Sequence, residues 1–132
     1  KTPGDATATE SDSGLFTITF DVTAFGNYVY VDKTAPVVGG ANASAIVVSG
    51  TGTVTSEITS PSGADEKTNS YLVEEGTTER FTVTTNILAT TTAFFIVQLG
   101  DIAYALTDVN KTTTYSSDLS DFKTTSLSLT DR

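Results

Sequence analysis

The chain has 132 residues, with 16 acids against 7 bases, a formal charge of −9, and no His, Cys, Met or Trp. That balance argues against nucleic acid and anionic membrane, which recruit basic patches, while the missing Cys and His remove disulfides, thiolate metal sites and the commonest general base. Thr and Ser make up 40 of the 132 residues, and a Thr-rich, low-charge, acidic chain of this length reads as one secreted or surface-exposed β-domain.

Residues 1–14 contain Pro3, Gly4, several acids and no apolar side chain larger than Ala. They read as an extended arm or tether that cannot bury itself. From Leu15 to Phe25 the pattern alternates: Phe16, Ile18, Phe20, Val22 and Ala24 share one face, Thr17, Thr19, Asp21 and Thr23 the other. That is a half-buried strand. Gly26-Asn27 signals a turn, and Tyr28 to Val31 follows as a short strand apolar on both faces. A hairpin over Leu15–Val31 and a strand that changes sheets both fit.

Pro36 to Asn42 reads as a loop, Ile46 to Val48 as a short buried strand, and Val54 to Ile58 as a second alternating one. Ser60 to Ser70, with Pro61 and Gly63, is the longest internal loop; Tyr71 to Glu74 is a strand closed by Glu75-Gly76. The stretch from Thr78 to Leu106 carries the strongest signal. Its first half alternates through Phe81, Val83, Thr85 and Ile87, and its second half loads both faces with Phe94, Phe95, Ile96 and Val97. Two long neighbouring strands at the centre of the domain are expected there. Asp108 to Asp121 is polar, and Phe122 to Leu129 returns to alternation as an edge strand.

No stretch has helical periodicity, and none looks like a signal peptide or an 18-residue apolar run. The chain is therefore expected to be cytosolic or already processed, with no membrane insertion. About seven to nine antiparallel strands with Gly-marked turns predict an all-β domain over residues 15–132, a β-sandwich first and a barrel second. The expected core is Phe16, Ile18, Phe20, Val22, Val54, Phe81, Val83, Ile87, Phe95, Val97, Leu99 and Tyr104.

The pieces Leu15-Phe-Thr-Ile-Thr-Phe-Asp-Val-Thr-Ala-Phe-Gly-Asn-Tyr-Val-Tyr-Val31 and Val73-Glu-Glu-Gly-Thr-Thr-Glu-Arg-Phe-Thr-Val-Thr84 resemble Thr-rich, immunoglobulin-like modules of large bacterial surface proteins. The resemblance implies an immunoglobulin-like sandwich, an extracellular structural or adhesive role, and no catalytic residues.

Chemistry-bearing constellations are sparse. Without His or Cys, catalysis is left to Ser/Thr with Lys or to carboxylate pairs, and the acids sit in loops; no enzyme activity and no cofactor are expected. Asp101, Asp108, Asp118 and Asp121 supply oxygens of the kind calcium takes, but without Asp-x-Asp-x-Asp-Gly spacing, so no metal is expected. Lys33, Lys67, Lys111 and Lys123 are candidates for an isopeptide bond, and solvated lysines are the simpler reading. Asn42 and Asn110 head glycosylation sequons, and Thr90–Thr92 and Thr112–Thr114 are clusters suited to O-glycans. Tyr28, Tyr30, Tyr71, Tyr104 and Tyr115 are available as a sugar platform, though some must serve the core.

Surplus apolar surface lies in strands rather than loops, which favours partner contact. The expectation is a structural subunit of an extracellular surface assembly, a homopolymer joined through strand edges. The self-association residues are Ala6, Thr7, Ala8 and Thr9 of the arm, Tyr28 and Tyr30, Phe94 and Ile96, and Leu127 and Leu129. The acceptor is expected to be the C-terminal strand or the Tyr28–Val31 strand. The alternative is a carbohydrate- or cell-wall-binding adhesion module, with glycans as partner.

Overall fold

The computed structural model describes residues 11–39, 43–108, 113–115 and 119–131. Among them there is no helix. Twelve strands occur: β1 (Ser13–Thr23), β2 (Val29–Asp32), β3 (Val37–Val38), β4 (Ala45–Val48), β5 (Gly52–Thr59), β6 (Asp65–Glu66), β7 (Ser70–Val73), β8 (Thr78–Ala89), β9 (Ala93–Phe95), β10 (Val97–Ala105), β11 (Thr113–Tyr115) and β12 (Leu127–Leu129). The strands beyond the expected seven to nine are mostly pieces of two or three residues. Three of them (β3, β6 and β11) fall in stretches read as loops.

The strands form a three-stranded sheet in the order β1-β8-β5, a seven-stranded sheet in the order β3-β4-β10-β2-β7-β6 with β11 also on β10, and a two-stranded β12-β9 pair. Every pairing between these strands is antiparallel except β3 with β4. This all-β arrangement is compatible with a β-sandwich.

Period-two alternation does its work most clearly in the three-stranded sheet. Phe16, Ile18 and Phe20 of β1 are buried, as are Phe81, Val83, Thr85 and Ile87 of β8. The opposite face is built from Thr: Thr19 lies beside Thr82, which lies beside Thr59, and Thr17 lies beside Thr84. Branching at Cβ suits Thr to extended backbone while its hydroxyl faces water. The buried face meets the larger sheet in one core. Phe81 stacks on Phe20 at 5.7 Å and receives Tyr71 of β7 edge-on at 5.8 Å.

One expectation about topology is corrected, and one open choice is decided. The strands at Thr78–Ala89 and Val97–Ala105 are not neighbours: β8 belongs to the three-stranded sheet and β10 to the seven-stranded one. Thr90 to Thr92 is thus a passage between sheets rather than a hairpin turn. Phe95, beyond it, is fully buried against Gly50, which has a φ of +84° and no room for a side chain, since a Cβ there would meet the Phe95 ring at 2.7 Å. Likewise β1 and β2 form no hairpin. The chain changes sheets at Gly26-Asn27, the second of the two readings open at that point.

Of the twelve expected core residues, Phe16, Ile18, Phe20, Phe81, Val83, Ile87, Phe95, Val97 and Leu99 are buried; Val22, Val54 and Tyr104 are half-buried. The last three lie near strand ends or at the rim of a cleft. The core also takes in Val31, Ile46, Val73 and Leu129.

The start of the domain differs from the expected boundary at Leu15. Ser13 and Gly14 already pair with Leu88 and Ile87, and Asp12 is fully buried. The Asp12 amide donates to the Thr130 carbonyl at 2.8 Å, its own carbonyl accepts from Ala89 at 3.0 Å, and its carboxylate accepts from the Thr130 amide at 3.0 Å. Ser11 donates to the Asp131 carboxylate at 2.7 Å. The chain therefore enters and leaves the described fold side by side, at the pole where β1 begins.

Candidate functional site

β1 is an edge strand. In its antiparallel ladder with β8, the hydrogen-bonding direction is fixed by contacts at both ends: Asp12 accepts from Ala89, and Ala24 donates to Thr77 at 3.2 Å. The register between them runs without a bulge. Even-numbered residues of β1 thus spend their N–H and C=O on β8. Leu15, Thr17, Thr19, Asp21 and Thr23 direct theirs outward, and no strand among the described residues pairs with that edge. Soluble proteins usually blunt such an edge with Lys, Pro, a bulge or brevity. Eleven residues of β1 use none of these devices.

Beside the C-terminal half of this edge lies a cleft of about 560 Å³. It opens between the two larger sheets and is lined by Phe20, Val22, Phe25, Tyr104, Tyr115 and Phe122, among others. Phe25, at its mouth, is 86% exposed. An apolar trough beside unsatisfied backbone groups offers an extended chain two attachments at once: ladder bonds and pockets for alternate side chains.

A charged pair lies on the outer face of β1 beside the cleft. Arg80 donates through Nε to Asp21 Oδ1 at 3.0 Å and through Nη2 to Oδ2 at 3.4 Å. The hydrogen bond from Arg80 holds the Asp21 carboxyl below its usual value, and the same bond raises Arg80. The pair is exposed, so it orders the surface more than it stabilises it.

The expected self-association residues scatter. Phe94 is 71% exposed on β9, and Ile96 is half-buried with its amide donating to Ser49 Oγ at 2.9 Å. Tyr28 is exposed and packs edge-to-face on Tyr30, which is half-buried. Leu127 and Leu129 are corrected: Leu129 is fully buried and Leu127 packs against the core. Gly14 makes room for both, since a Cβ there would meet Leu127 at 3.0 Å and Leu129 at 3.2 Å. Both expected acceptors fail for related reasons. β2 already has β10 and β7 on its two edges, and β12 is three residues long, paired with β9, its leucines turned inward. Ala6, Thr7, Ala8, Thr9, Asn42 and Asn110 lie outside the described residues.

Of the candidate calcium ligands, Asp101 and Asp108 hold neighbouring segments by hydrogen bonds, and Asp118 lies outside the described residues. The Asp101 carboxylate accepts from the Ala45 amide at 3.0 Å. Asp108 accepts from Ser70 Oγ at 2.8 Å and from the Asn69 amide at 3.0 Å. The Ser70 bond is the main reason its carboxyl is held below the usual value. Among the described residues no three acids gather into a metal-sized group. Lys33 and Lys67 are engaged with Glu66 and Asp65.

Comparison of the chain with models of known families, with curated proteins and with solved structures found no match.

Proposed function

We propose that this chain is a structural subunit of an extracellular surface assembly, a filament, fibre or layer whose copies associate through strand edges. The observation that carries the reading is the edge of β1 from Leu15 to Thr23, which no strand among the described residues pairs with and which lies beside an apolar cleft. A β-edge left in this state is a template for another strand, and the Thr-rich outer face beside it is suited to an exposed surface.

An immunoglobulin-like arrangement supports the same reading. In that fold one sheet runs A-B-E-D and the other carries C, F and G. Matching β1, β8 and β5 to B, E and D, and β2 and β10 to C and F, accounts for the β1-β8-β5 order and the β2–β10 pairing, while β4 on β10 and β7 on β2 are additional to that scheme. On this match the position of strand A falls on the open edge of β1. An extended N-terminal arm over residues 1–14, shortened at its inner end by the pairing of Ser13 and Gly14, is the segment that a strand-edge assembly would use.

The test is the state of the purified full chain across a wide concentration range, by size exclusion and negative-stain imaging. Ordered fibres or layers support the reading, and a monodisperse monomer at millimolar concentration refutes it. One observation favours the second reading, a carbohydrate- or cell-wall-binding module. Phe25, Tyr28 and Tyr115 are exposed at or near the cleft, and aromatic faces of this kind stack on sugar rings. Saturable binding to purified wall glycan, abolished by Phe25→Ala, would select it.

A further inference from the structure

The open edge and its cleft have a polarity that narrows what can fill them. The cleft lies along the Phe20–Phe25 end of β1. Residues 1–10 join the fold at Ser11, at the other end of the strand, about 33 Å away at the usual strand rise. To lie on its own β1, this segment would need a reversal at Ser11 and Asp12. Those residues are bonded to Thr130, Asp131 and Ala89. In a second copy stacked on the distal pole, the same segment needs no reversal.

We infer that the β1 edge and cleft of one copy receive residues 1–10 of the next, added as a strand parallel to β1. This rests on the assembly reading and specifies its joint. Direction follows from the stacking: without a reversal the arm runs toward the entry pole in the same direction in which β1 runs on from it, so copies related by translation pair them in parallel.

The arm's own alternation fits. Gly4, Ala6 and Ala8 fall on one face and Asp5, Thr7 and Thr9 on the other. Turned inward, the small apolar set enters a narrow trough without clashing with Phe20, Val22 or Tyr104. Turned outward, Thr7 and Thr9 extend the Thr rows of the three-stranded sheet. A head-to-tail contact of this kind does not close on itself and propagates as a filament. The outward amides of Leu15, Thr17, Thr19, Asp21 and Thr23 are the donors it would satisfy.

Three preparations test this: the full chain, a chain lacking residues 1–10, and Thr19→Pro. Proline at Thr19 removes one outward N–H and leaves the β8 ladder intact, the one setting in which an edge strand tolerates it. Expected results are fibres from the full chain only, all three proteins folded by circular dichroism, and amide exchange at Thr17, Thr19 and Asp21 slowing at least about 100-fold on assembly.

A synthetic peptide of residues 1–10, added to the shortened chain, should protect the same amides in a saturable way without forming fibres. Fibres that persist in the shortened chain or in Thr19→Pro, with the outward amides still exchanging freely, overturn the inference and leave the assembly reading standing. Protection already present in dilute monomer overturns it in favour of the chain's own arm. If the full chain never assembles but the peptide protects the edge, the assembly reading fails and the strand-acceptor site stands. No effect of the peptide removes the site as well.

Discussion

Replacing Phe81 with Ala tests the core at its most informative point. The side chain is fully buried, and truncating a buried Phe costs about 3–5 kcal/mol. Two ring contacts move Phe81 to the top of that range: Phe20 stacked at 5.7 Å with 23° between planes, and Tyr71 edge-on at 5.8 Å. Each adds about 0.5–1.5 kcal/mol beyond burial. Phe20 has one such contact and lines the cleft, so water can enter the space its ring leaves; Phe20→Ala should cost about 3 kcal/mol. Urea denaturation followed by far-ultraviolet circular dichroism reads both, with an unchanged slope showing that the compactness of the end states is preserved. The double variant should show a coupling of about 0.5–1.5 kcal/mol. Since these losses approach the total stability of an ordinary domain, Phe81→Leu provides a milder reading of about 1–2 kcal/mol. The packing argument is wrong if Phe81→Ala stays within about 1 kcal/mol of the parent, or if Phe20→Ala costs the more.

The remaining expectations can be checked on the same protein. Gly50→Ala should lose about 2–4 kcal/mol by chemical denaturation, because it combines a left-handed backbone with a clash against Phe95. Gly26→Ala, with φ of +74° and open space around it, should lose only about 1 kcal/mol; equal losses would refute the clash. Ser70→Ala removes the main donor to Asp108, so the Asp108 carboxyl, followed by NMR titration, should titrate at higher pH. The folded value of Asp108 lies below the unfolded one, so its stabilising contribution is complete above the ordinary carboxylate range. That contribution fades as pH falls through the folded value, and the stability gap between parent and Ser70→Ala should shrink below about pH 4. A gap that does not vary with pH would assign the loss to packing. Chelators should leave the melting temperature unchanged; a drop reversed by calcium would show a metal site.

Alternation told which side of each long strand faces inward, and nine of the twelve expected core residues are buried for that reason. It carries no information about which strand lies alongside which. β8 and β10 each read correctly as strands, yet their assignment to different sheets depends on how Thr90–Thr92 passes over Gly50 and Phe95, a long-range fit. Leu127 and Leu129 looked like an exposed edge because nothing local shows that Gly14 leaves space for them. The buried acids Asp12 and Asp32 were not legible from hydrophobic alternation, since their carboxylates accept from the backbone amides of Thr130 and Thr34. The open edge of β1 was hidden for the same reason as sheet order. An edge is a property of the whole sheet, and no residue of Leu15–Thr23 announces it.

The side-by-side entry and exit of the chain also set how the fold carries mechanical load. Tension applied between the two flanks acts first on the bonds joining Ser11 and Asp12 to Thr130 and Asp131, and these open one after another, like a zip. The long β1–β8 ladder lies off that line and is spared until the clasp has gone. A pull delivered along the outer edge of β1 instead runs parallel to the strand and meets all its ladder bonds together, in shear. One fold therefore presents a compliant direction through its own flanks and a stiff one along its open edge.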